Sequence, residues 1–284
     1  MTGTLYLCAT PIGNLGDITL RVLETLKSVD LIAAEDTRNS IRLLNHFEIH
    51  TPLTSYHEFN KMEKGRRLID LLAAGKSVAL ITDAGTPGIS DPGEELVRMA
   101  YEAGIPVTSL PGACACITAL TISGMPAGRF AFEAFLPKDR KKRRQVLEEL
   151  QTETRSIVLY EAPHHLRQTL SELYETLGER EIALCRELTK LHEEALRMTM
   201  SEAVQYYKEH EPRGEYVLVI AGRSFREIAR EEQSRWEEVA IPAHVAMYEE
   251  QGFSRKEAMK KAAADRGIAK RDIYQALLQE DDAQ

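Results

Sequence analysis

Residues 78–95 read VALITDAGTPGISDPGEE, and this stretch decides the fold. The apolar run before Asp83 is typical of a buried β-strand, and the Gly/Pro turn after it leads into a helix. In that helix start, Asp91 is predicted as the N-cap, Pro92 as the first helical residue, and Glu94 can reach back from the third position. Such a turn presents backbone N–H groups at the carboxyl edge of a sheet, where open α/β folds bind their ligands. An ordinary strand-to-helix connection explains the same residues.

Apolar runs of strand length alternate with helical segments around this stretch, which is typical of βαβ units on a mainly parallel sheet. A Gly/Pro cluster at residues 124–128 marks one domain boundary, and a charged helical linker begins at residue 223. The sequence therefore predicts a fold of two α/β domains, 1–124 and 125–222, followed by a helical segment, 223–284. Three short helices with a glycine-containing turn in that segment fit a helix-turn-helix unit.

The composition excludes several classes of protein. The chain has 284 residues, of which 43% are hydrophobic and 28% charged, so it is expected to be globular rather than disordered. No apolar run approaches the roughly 20 residues of a membrane span, and the N-terminus lacks the basic start of a signal peptide. The four cysteines have no metal-ligand spacing and are expected to be reduced thiols. We expect a cytoplasmic protein without a structural metal.

The net charge of −8 is unevenly distributed. Residues 138–144 contain six basic side chains and one acidic side chain, and residues 252–271 contain seven basic and two acidic ones. Two basic patches on an acidic protein can form a directed site for a polyanion. Solvated helix faces are the alternative explanation for each patch.

Three further Gly/Pro-rich turns follow predicted strands, at residues 10–17 (TPIGNLGD), 110–115 (LPGACA) and 161–163 (EAP). Several such turns suggest a shared cleft along one sheet edge. The chain has neither the G-x-x-x-x-G-K-[ST] phosphate loop nor a G-x-G-x-x-G after a strand, which argues against nucleoside triphosphate hydrolysis and against a nicotinamide or flavin. The turns are short of Lys and Arg, so they suit a ligand without a polyphosphate.

The four turns with their spacing, together with AEDTR at 34–38 and FLP at 135–137, closely resemble the tetrapyrrole-methylase superfamily. Within it they resemble the group that methylates a cytidine 2′-hydroxyl of 16S ribosomal RNA. The resemblance runs from about Leu5 to Gly222, and the C-terminal segment resembles the helix-turn-helix appended in that group. The chain departs from the pattern at Phe59, where a second His is expected.

The resemblance implies that S-adenosylmethionine binds, folded, in a cleft between two α/β domains, and that the protein is a homodimer. Carried onto this chain, the cofactor contacts come from the four turns: Pro11, Ile12, Asp83, Gly85, Thr86, Pro87, Ile89, Ser90, Cys114, Ala115, Tyr160 and Glu161. Adenosine, sulfonium and amino-acid groups need backbone donors and acceptors, an apolar wall and a carboxylate, which such turns can supply. Pro87 and Ile89 can equally be turn and core residues.

The reaction implied by the resemblance is in-line displacement of a methyl group from sulfur to a ribose oxygen. The protein then mainly has to align the reactants, and a base helps because a protonated hydroxyl is a poor nucleophile. Glu35, Asp36 and Arg38 lie where the second predicted strand ends and are the first candidates for this polar cluster. His57 is next. A helix N-cap is an equally good interpretation of Asp36.

The first basic patch follows a predicted strand beside the cleft, and its lack of aromatic residues favours phosphate contacts over base stacking. Its predicted RNA-binding residues are Lys138, Arg140, Lys141, Arg143 and Arg144. The 252–271 patch would add a second anchor. The leading interpretation is an enzyme acting on 16S rRNA or the small ribosomal subunit. A small-molecule methylase of the same superfamily and an RNA-binding protein without catalysis are the alternatives; the basic patches argue against the first and the four intact turns against the second.

Overall fold

The computed structural model describes residues 2–281, apart from the side chains of Glu227, Glu232, Glu280 and Asp281. Contacts divide the chain into two compact units, residues 1–221 and 222–284. The first unit contains two five-stranded sheets, and the described part of the second is helical. This architecture confirms the predicted α/β fold with a C-terminal helical segment. The boundary at residue 124 lies inside the first unit and stays a prediction.

The strands of the first sheet are β1 (Leu5–Cys8), β2 (Leu31–Ala34), β3 (Leu53–Ser55), β4 (Val78–Ile81) and β5 (Val107–Leu110). All five are parallel, and their order in the sheet is β3-β2-β4-β1-β5. The helices between them are α1 (Leu20–Ser28), α2 (Thr37–His46), α3 (Lys61–Ala73) and α4 (Gly93–Glu102). Because the strands are parallel, the turns that follow them all lie at one edge of the sheet.

Strand β4 is apolar at every position because both faces of the first sheet are covered. Val78 and Leu80 pack into one buried cluster with α3 and α4, while Ala79 and Ile81 pack into the other with α1 and α2. Consecutive strand residues point to opposite faces, so a sheet covered on both sides selects a continuous apolar run.

Side-chain oxygens fix the starts of two helices. The N-cap of α1 is Thr19, whose hydroxyl accepts the Val22 N–H, and a short 3-10 turn that ends at Asp17 precedes it. Helix α4 begins at Gly93, one residue later than predicted. The Asp91 carboxylate accepts the N–H groups of Gly93 and Gly88, both at 2.8 Å, and so ties the turn to the helix start.

The strands of the second sheet are β6 (Phe130–Phe135), β7 (Ser156–Glu161), β8 (Glu181–Arg186), β9 (Glu194–Thr199) and β10 (Tyr216–Ile220). This sheet is mixed, and the order of its strands is β6-β7-β10-β8-β9. Helix α5 (Ala115–Ile122) packs on this sheet, and α6 (Arg140–Leu150), α7 (Pro163–Leu177) and α8 (Met200–Glu209) complete the unit. Only β6 and β7 are parallel neighbours; β10 pairs antiparallel with both β7 and β8.

The C-terminal unit contains the helices α9 (Phe225–Ser234), α10 (Ile241–Glu250), α11 (Arg255–Arg266) and α12 (Lys270–Asp281). Val245, Ala262 and Ile273 form part of its buried core. Gly267 ends α11 in the left-handed conformation, with φ +63°, and allows the sharp turn into α12. The helices and turn agree with the three-helix interpretation of the sequence.

Candidate functional site

Hydrogen bonds join three turns of the first sheet into one floor. The turns after β1 and β4 form a two-residue bridge, in which Thr10 N donates to Gly85 O at 2.9 Å and Gly85 N donates to Thr10 O at 3.0 Å. The Thr86 hydroxyl donates to the Ala113 carbonyl after β5 at 2.9 Å. Gly85 has φ +86°, and a Cβ there would lie 3.3 Å from Ile12 Cγ2. This position requires glycine for its backbone conformation as well as for space.

A cleft of about 470 Å³ lies between this floor and the edge of the second sheet. Its volume is within the range of about 300–1,000 Å³ that is usual for small-molecule sites. Ten of the twelve predicted cofactor residues line it: Ile12, Asp83, Gly85, Thr86, Ile89, Ser90, Cys114, Ala115, Tyr160 and Glu161. Pro11 and Pro87 lie outside the lining, and Pro87 is a buried turn residue.

The second sheet contributes an aromatic wall. A bulge between Phe132 and Ala134 shifts the register of β6, so that Phe135 pairs with Tyr160. Their ring centroids are 5.5 Å apart, in an edge-on arrangement that aromatic pairs prefer. The Tyr160 hydroxyl accepts the Cys116 N–H at 3.1 Å, which ties the start of α5 to β7. Phe135 is 52% exposed and lines the cleft.

Several residues that line the cleft were not predicted from the sequence. They follow β8 or precede and begin β10: Glu187, Leu188, Lys190, Gly214, Glu215, Tyr216 and Val217. The 187–190 loop has no Gly or Pro to mark it, although Glu187 and Thr189 have φ values of +50° and +67°. Non-glycine residues in this conformation are strained, and such strain is concentrated at functional sites.

The charge of the cleft favours a cationic ligand. Its lining contains six carboxylates and one lysine, Lys190, which forms an ion pair with Glu187 at 2.9 Å. This excess of acid disfavours a polyphosphate and suits a ligand with a sulfonium and an ammonium group. Together with the volume and the aromatic wall, the lining residues fit S-adenosylmethionine.

Cys114 and Cys116 place two thiols at the start of α5, with the sulfur atoms 3.3 Å apart. The hydrogen bond from Cys116, helped by backbone N–H groups of α5, lowers the pKa of Cys114 to about 6. The same interaction and burial raise the pKa of Cys116. Within the described part of the chain, no group of three or more His, Cys, Asp or Glu residues is arranged to hold a metal ion.

A second cavity of about 350 Å³ contains all four predicted catalytic residues, and Glu35 lines both this cavity and the cleft. Burial, with the nearby carboxylates of Asp83 and Asp91, raises the pKa of Glu35. Asp83 accepts the Asp36 N–H at 3.1 Å and thereby fixes the end of β2 to the floor. Among the four predicted catalytic residues, Glu35 is therefore the one that borders both the cleft and the second cavity.

Asp36 is the N-cap of α2, as one of its two interpretations required. Its carboxylate accepts the Arg38 N–H at 2.8 Å and pairs with the Arg38 guanidinium at 2.6 Å. These hydrogen bonds lower the pKa of Asp36 to about 2. The Arg38 side chain is 87% exposed at the cavity rim.

His57 and Phe59 form the other side of this second cavity. The His57 Nε2 lies 3.2 Å from the Asn60 side-chain nitrogen, whereas its Nδ1 is buried and has no hydrogen-bond partner among the described residues. Phe59, at the position where the family pattern has a second His, is 97% exposed. A flat apolar ring at the cavity rim is suited to stacking on a base.

The first basic patch spans the start of α6, and its side chains divide between two faces. Lys138, Arg140, Lys141 and Arg144 are exposed, as an RNA contact requires. Arg143 turns inward: its side chain is only 15% exposed and pairs with Glu172 at 2.6 Å. The predicted role of Arg143 as an RNA contact does not fit this inward orientation.

The second basic patch contributes to a groove of about 420 Å³ between α11 and α12. Lys256, Lys270 and Arg271 line it, and Tyr274, 53% exposed, presents an aromatic ring beside them.

None of the helices among the described residues is long and apolar enough to cross a membrane.

Comparison with known proteins agrees with this geometry. Residues 4–204 match the family described as Tetrapyrrole (Corrin/Porphyrin) Methylases. Two relatives, both called ribosomal RNA small subunit methyltransferase I, come from Halalkalibacterium halodurans (50% identity, 98% of this chain and 96% of the relative) and Thermotoga maritima (45% identity, 78% of this chain and 99% of the relative).

The solved uroporphyrin-III C-methyltransferase of Thermus thermophilus, complexed with S-adenosylhomocysteine, has the same fold, with a TM-score of 0.55 at 19% identity over 77% of this chain and 97% of that one. The resemblance expected from the four turns is thus confirmed. The chain belongs to the tetrapyrrole methylases and, within them, to the family of ribosomal RNA small subunit methyltransferase I.

Proposed function

We propose that this protein transfers a methyl group from S-adenosylmethionine to the 2′-hydroxyl of a cytidine in the RNA of the small ribosomal subunit. The observation that carries the proposal is the position of Glu35, which lines both the acid-rich cleft and the cavity beside Arg38 and His57. A donor in the cleft and an acceptor in the cavity would meet at this carboxylate. Membership of the family supplies the reaction and the substrate.

S-adenosylmethionine supplies an activated methyl group on sulfur. The glycine-rich floor and the aromatic wall would hold it through backbone groups around Gly85 and Ala115 and through the rings of Tyr160 and Phe135. The carboxylates of Asp83 and Glu161 would attract its positive charges. Most of the rate enhancement would then come from alignment of the donor with the ribose oxygen.

Glu35 is the proposed general base. Its pKa is raised by burial and by neighbouring carboxylates, and a base is most effective when its pKa approaches the working pH. Asp36 and Arg38 would act indirectly, since their mutual hydrogen bonds fix the start of α2 beside the cavity. His57 lines the same cavity and would orient the acceptor ribose.

RNA would bind along the exposed face of α6. Lys138, Arg140, Lys141 and Arg144 have no aromatic neighbours in their run, which favours phosphate contacts. The groove lined by Lys256, Lys270, Arg271 and Tyr274 would provide a second anchor through phosphates and base stacking. The enzyme would act in the cytoplasm as a homodimer, as the family resemblance implies.

The decisive experiment supplies labelled S-adenosylmethionine together with small subunits from a strain that lacks the modification and, in a parallel reaction, together with a free tetrapyrrole acid. Label recovered in 2′-O-methylcytidine supports the proposal. Label in a free tetrapyrrole with none in RNA would favour the small-molecule methylase. RNA and cofactor binding without any transfer would identify a protein that has lost catalysis.

A further inference from the structure

A chain of hydrogen bonds runs from the basic helix α6 to the wall of the cleft. It ends at Glu161, which lines the cleft although its residue is only 5% exposed. One carboxylate oxygen accepts the Ala162 N–H at 2.8 Å, and the other accepts a short hydrogen bond from the Thr169 hydroxyl. A buried carboxylate needs such partners to remain in place.

The Thr169 hydroxyl, on α7, is itself oriented from the far side. Arg143 Nη2 donates to Thr169 Oγ1 at 2.7 Å, and Arg143 Nε donates to Glu172 at 2.6 Å. Thr169 is 1% exposed, so its hydroxyl forms these hydrogen bonds away from water. A hydroxyl has one hydrogen, and because its oxygen accepts from the guanidinium, the hydrogen is directed at Glu161. Bonds in such a chain strengthen one another.

We propose that Arg143 is a positioning residue for the cofactor cleft, acting through Thr169 on the Glu161 carboxylate, and that it contacts no RNA. The proposal rests on the assignment of Glu161 to S-adenosylmethionine binding in the proposed function. Without the guanidinium, the Thr169 hydroxyl is free to rotate toward other acceptors, and the carboxylate loses the partner that fixes its direction.

Two functions are thereby separated within five consecutive residues. Arg140, Lys141 and Arg144 face solvent on α6, whereas Arg143 points toward α7 and the cleft. A charge count of the basic run treats these side chains as equivalent. The structure predicts that removal of Arg143 and removal of Arg144 have opposite consequences.

The test compares Arg143→Met with Arg144→Met, a matched pair on the same helix. Isothermal titration with S-adenosylhomocysteine measures the affinity of the cleft, and RNA binding is measured at several salt concentrations. We expect R143M to weaken S-adenosylhomocysteine binding about tenfold and to keep the wild-type salt dependence of RNA binding. R144M should keep the wild-type cofactor affinity. It should lower the salt slope, which is the steepness of the fall in log RNA affinity with log salt concentration, by about 0.7–0.9. The reverse pattern would overturn the proposal.

A second pair guards against a purely structural effect of the arginine. Thr169→Ser keeps the hydroxyl and should bind S-adenosylhomocysteine like the wild type, whereas Thr169→Val, which keeps the shape, should lose affinity about tenfold. In turnover assays, T169V should raise the KM for S-adenosylmethionine more than it lowers kcat. If T169V and R143M lower the melting temperature but bind S-adenosylhomocysteine with wild-type affinity, this chain of hydrogen bonds only stabilises the fold and the proposal fails.

Glu161→Gln separates this failure from a failure of the proposed function. If E161Q binds S-adenosylhomocysteine normally, Glu161 has no part in cofactor binding and the positioning role has no target. If the wild-type protein binds no S-adenosylhomocysteine, the proposed methyl transfer itself is wrong. Weaker binding by E161Q, R143M and T169V together, with T169S unaffected, is the supporting result.

Discussion

The two sheets of the methylase unit reach the same cleft by different rules. In the first sheet every strand is parallel, so the residues that reach the cleft follow the carboxyl ends of β1, β2, β4 and β5. In the second sheet β10 runs antiparallel to β7 and β8, so the start of β10 meets their ends, with Tyr216 opposite Glu161 and Arg186. A ligand site at the carboxyl ends of strands is a rule for parallel sheets. The cleft residues at the start of β10 lie outside it.

The first sheet should dominate cofactor binding, and the largest effect is expected at its most constrained turn. Gly85→Val places a branched side chain at φ +86° and against Ile12, at a cost of about 1–3 kcal/mol in strain. We expect methyl transfer and S-adenosylhomocysteine affinity to fall about 100-fold or more, because the floor that aligns the ligand is displaced. Gly104→Ala, at φ +67° but with open space around it, is the control and should lower only the melting temperature. If G85V and G104A lose methyl transfer and S-adenosylhomocysteine affinity to the same extent, the floor of the cleft has no special role.

RNA binding should depend on the second sheet rather than the first, because the basic helix α6 follows strand β6 of the second sheet. Lys138, Arg140, Lys141 and Arg144 changed together to Gln should weaken RNA binding about 10- to 100-fold, because each lost phosphate contact lowers the salt slope by about 0.7–0.9. Cofactor affinity should stay unchanged. Wild-type RNA affinity in this variant would exclude α6 as the RNA-binding face. Titrations at several salt concentrations measure both quantities.

A smaller effect is expected where the second sheet holds α5. Tyr160→Phe removes the acceptor of the Cys116 N–H and leaves a partly buried donor without its partner, which costs about 1–3 kcal/mol. We expect a lower melting temperature and several-fold weaker S-adenosylhomocysteine binding. Tyr174→Phe on α7, at a partly exposed hydroxyl-bearing ring, is the matched control. Identical behaviour of the two variants would contradict the role of Tyr160.

The smallest effect is expected at Glu35, beside the first sheet, in the pH dependence of stability. Glu161 has hydrogen-bond donors, whereas Glu35 faces Asp83 and Asp91 and has a raised pKa. Because the folded pKa of Glu35 lies above the unfolded one, this group makes the folded state more stable as the pH falls through its folded pKa. Glu35→Gln should therefore melt slightly higher than the wild type at neutral pH, with the difference shrinking toward acid pH. A difference that grows in acid would reverse the assignment.

How much of the molecule could be predicted follows the same division. The alternation of strands and helices in the first sheet was predicted, and so were the Gly/Pro turns after β1, β4 and β5, because a parallel sheet covered on both faces requires apolar runs in the sequence and Gly and Pro mark its turns. Helix α5 was missed because it is apolar around its circumference and shows no helical period. The strand that precedes the first basic patch is β6, and its bulge between Phe132 and Ala134 was not predicted, because a bulge interrupts the alternation of a strand.

Side-chain roles were harder to predict than elements. Arg143 and Arg144 are neighbours of the same type, and only the packing of α6 against α7 separates them. Glu187 and Lys190 have no Gly or Pro beside them to mark a turn, and Glu215 precedes a strand that antiparallel pairing brings to the cleft, so the rule for parallel sheets does not point to it. Composition and spacing describe the surface of an element but not which of its faces a distant element will cover.

The division of the chain after Ala221 also bears on how such proteins arise. Both sheets, the cleft and α6 lie before this junction, and the Thermotoga maritima relative is matched over 99% of its length by 221 residues of this chain. A gene fusion or truncation at one point can therefore add or remove the helical unit without cutting a strand. The described part of the C-terminal unit shares no strand with the two sheets and contributes no residue to the lining of the cleft, so its surface can change without disturbing the residues around the cleft.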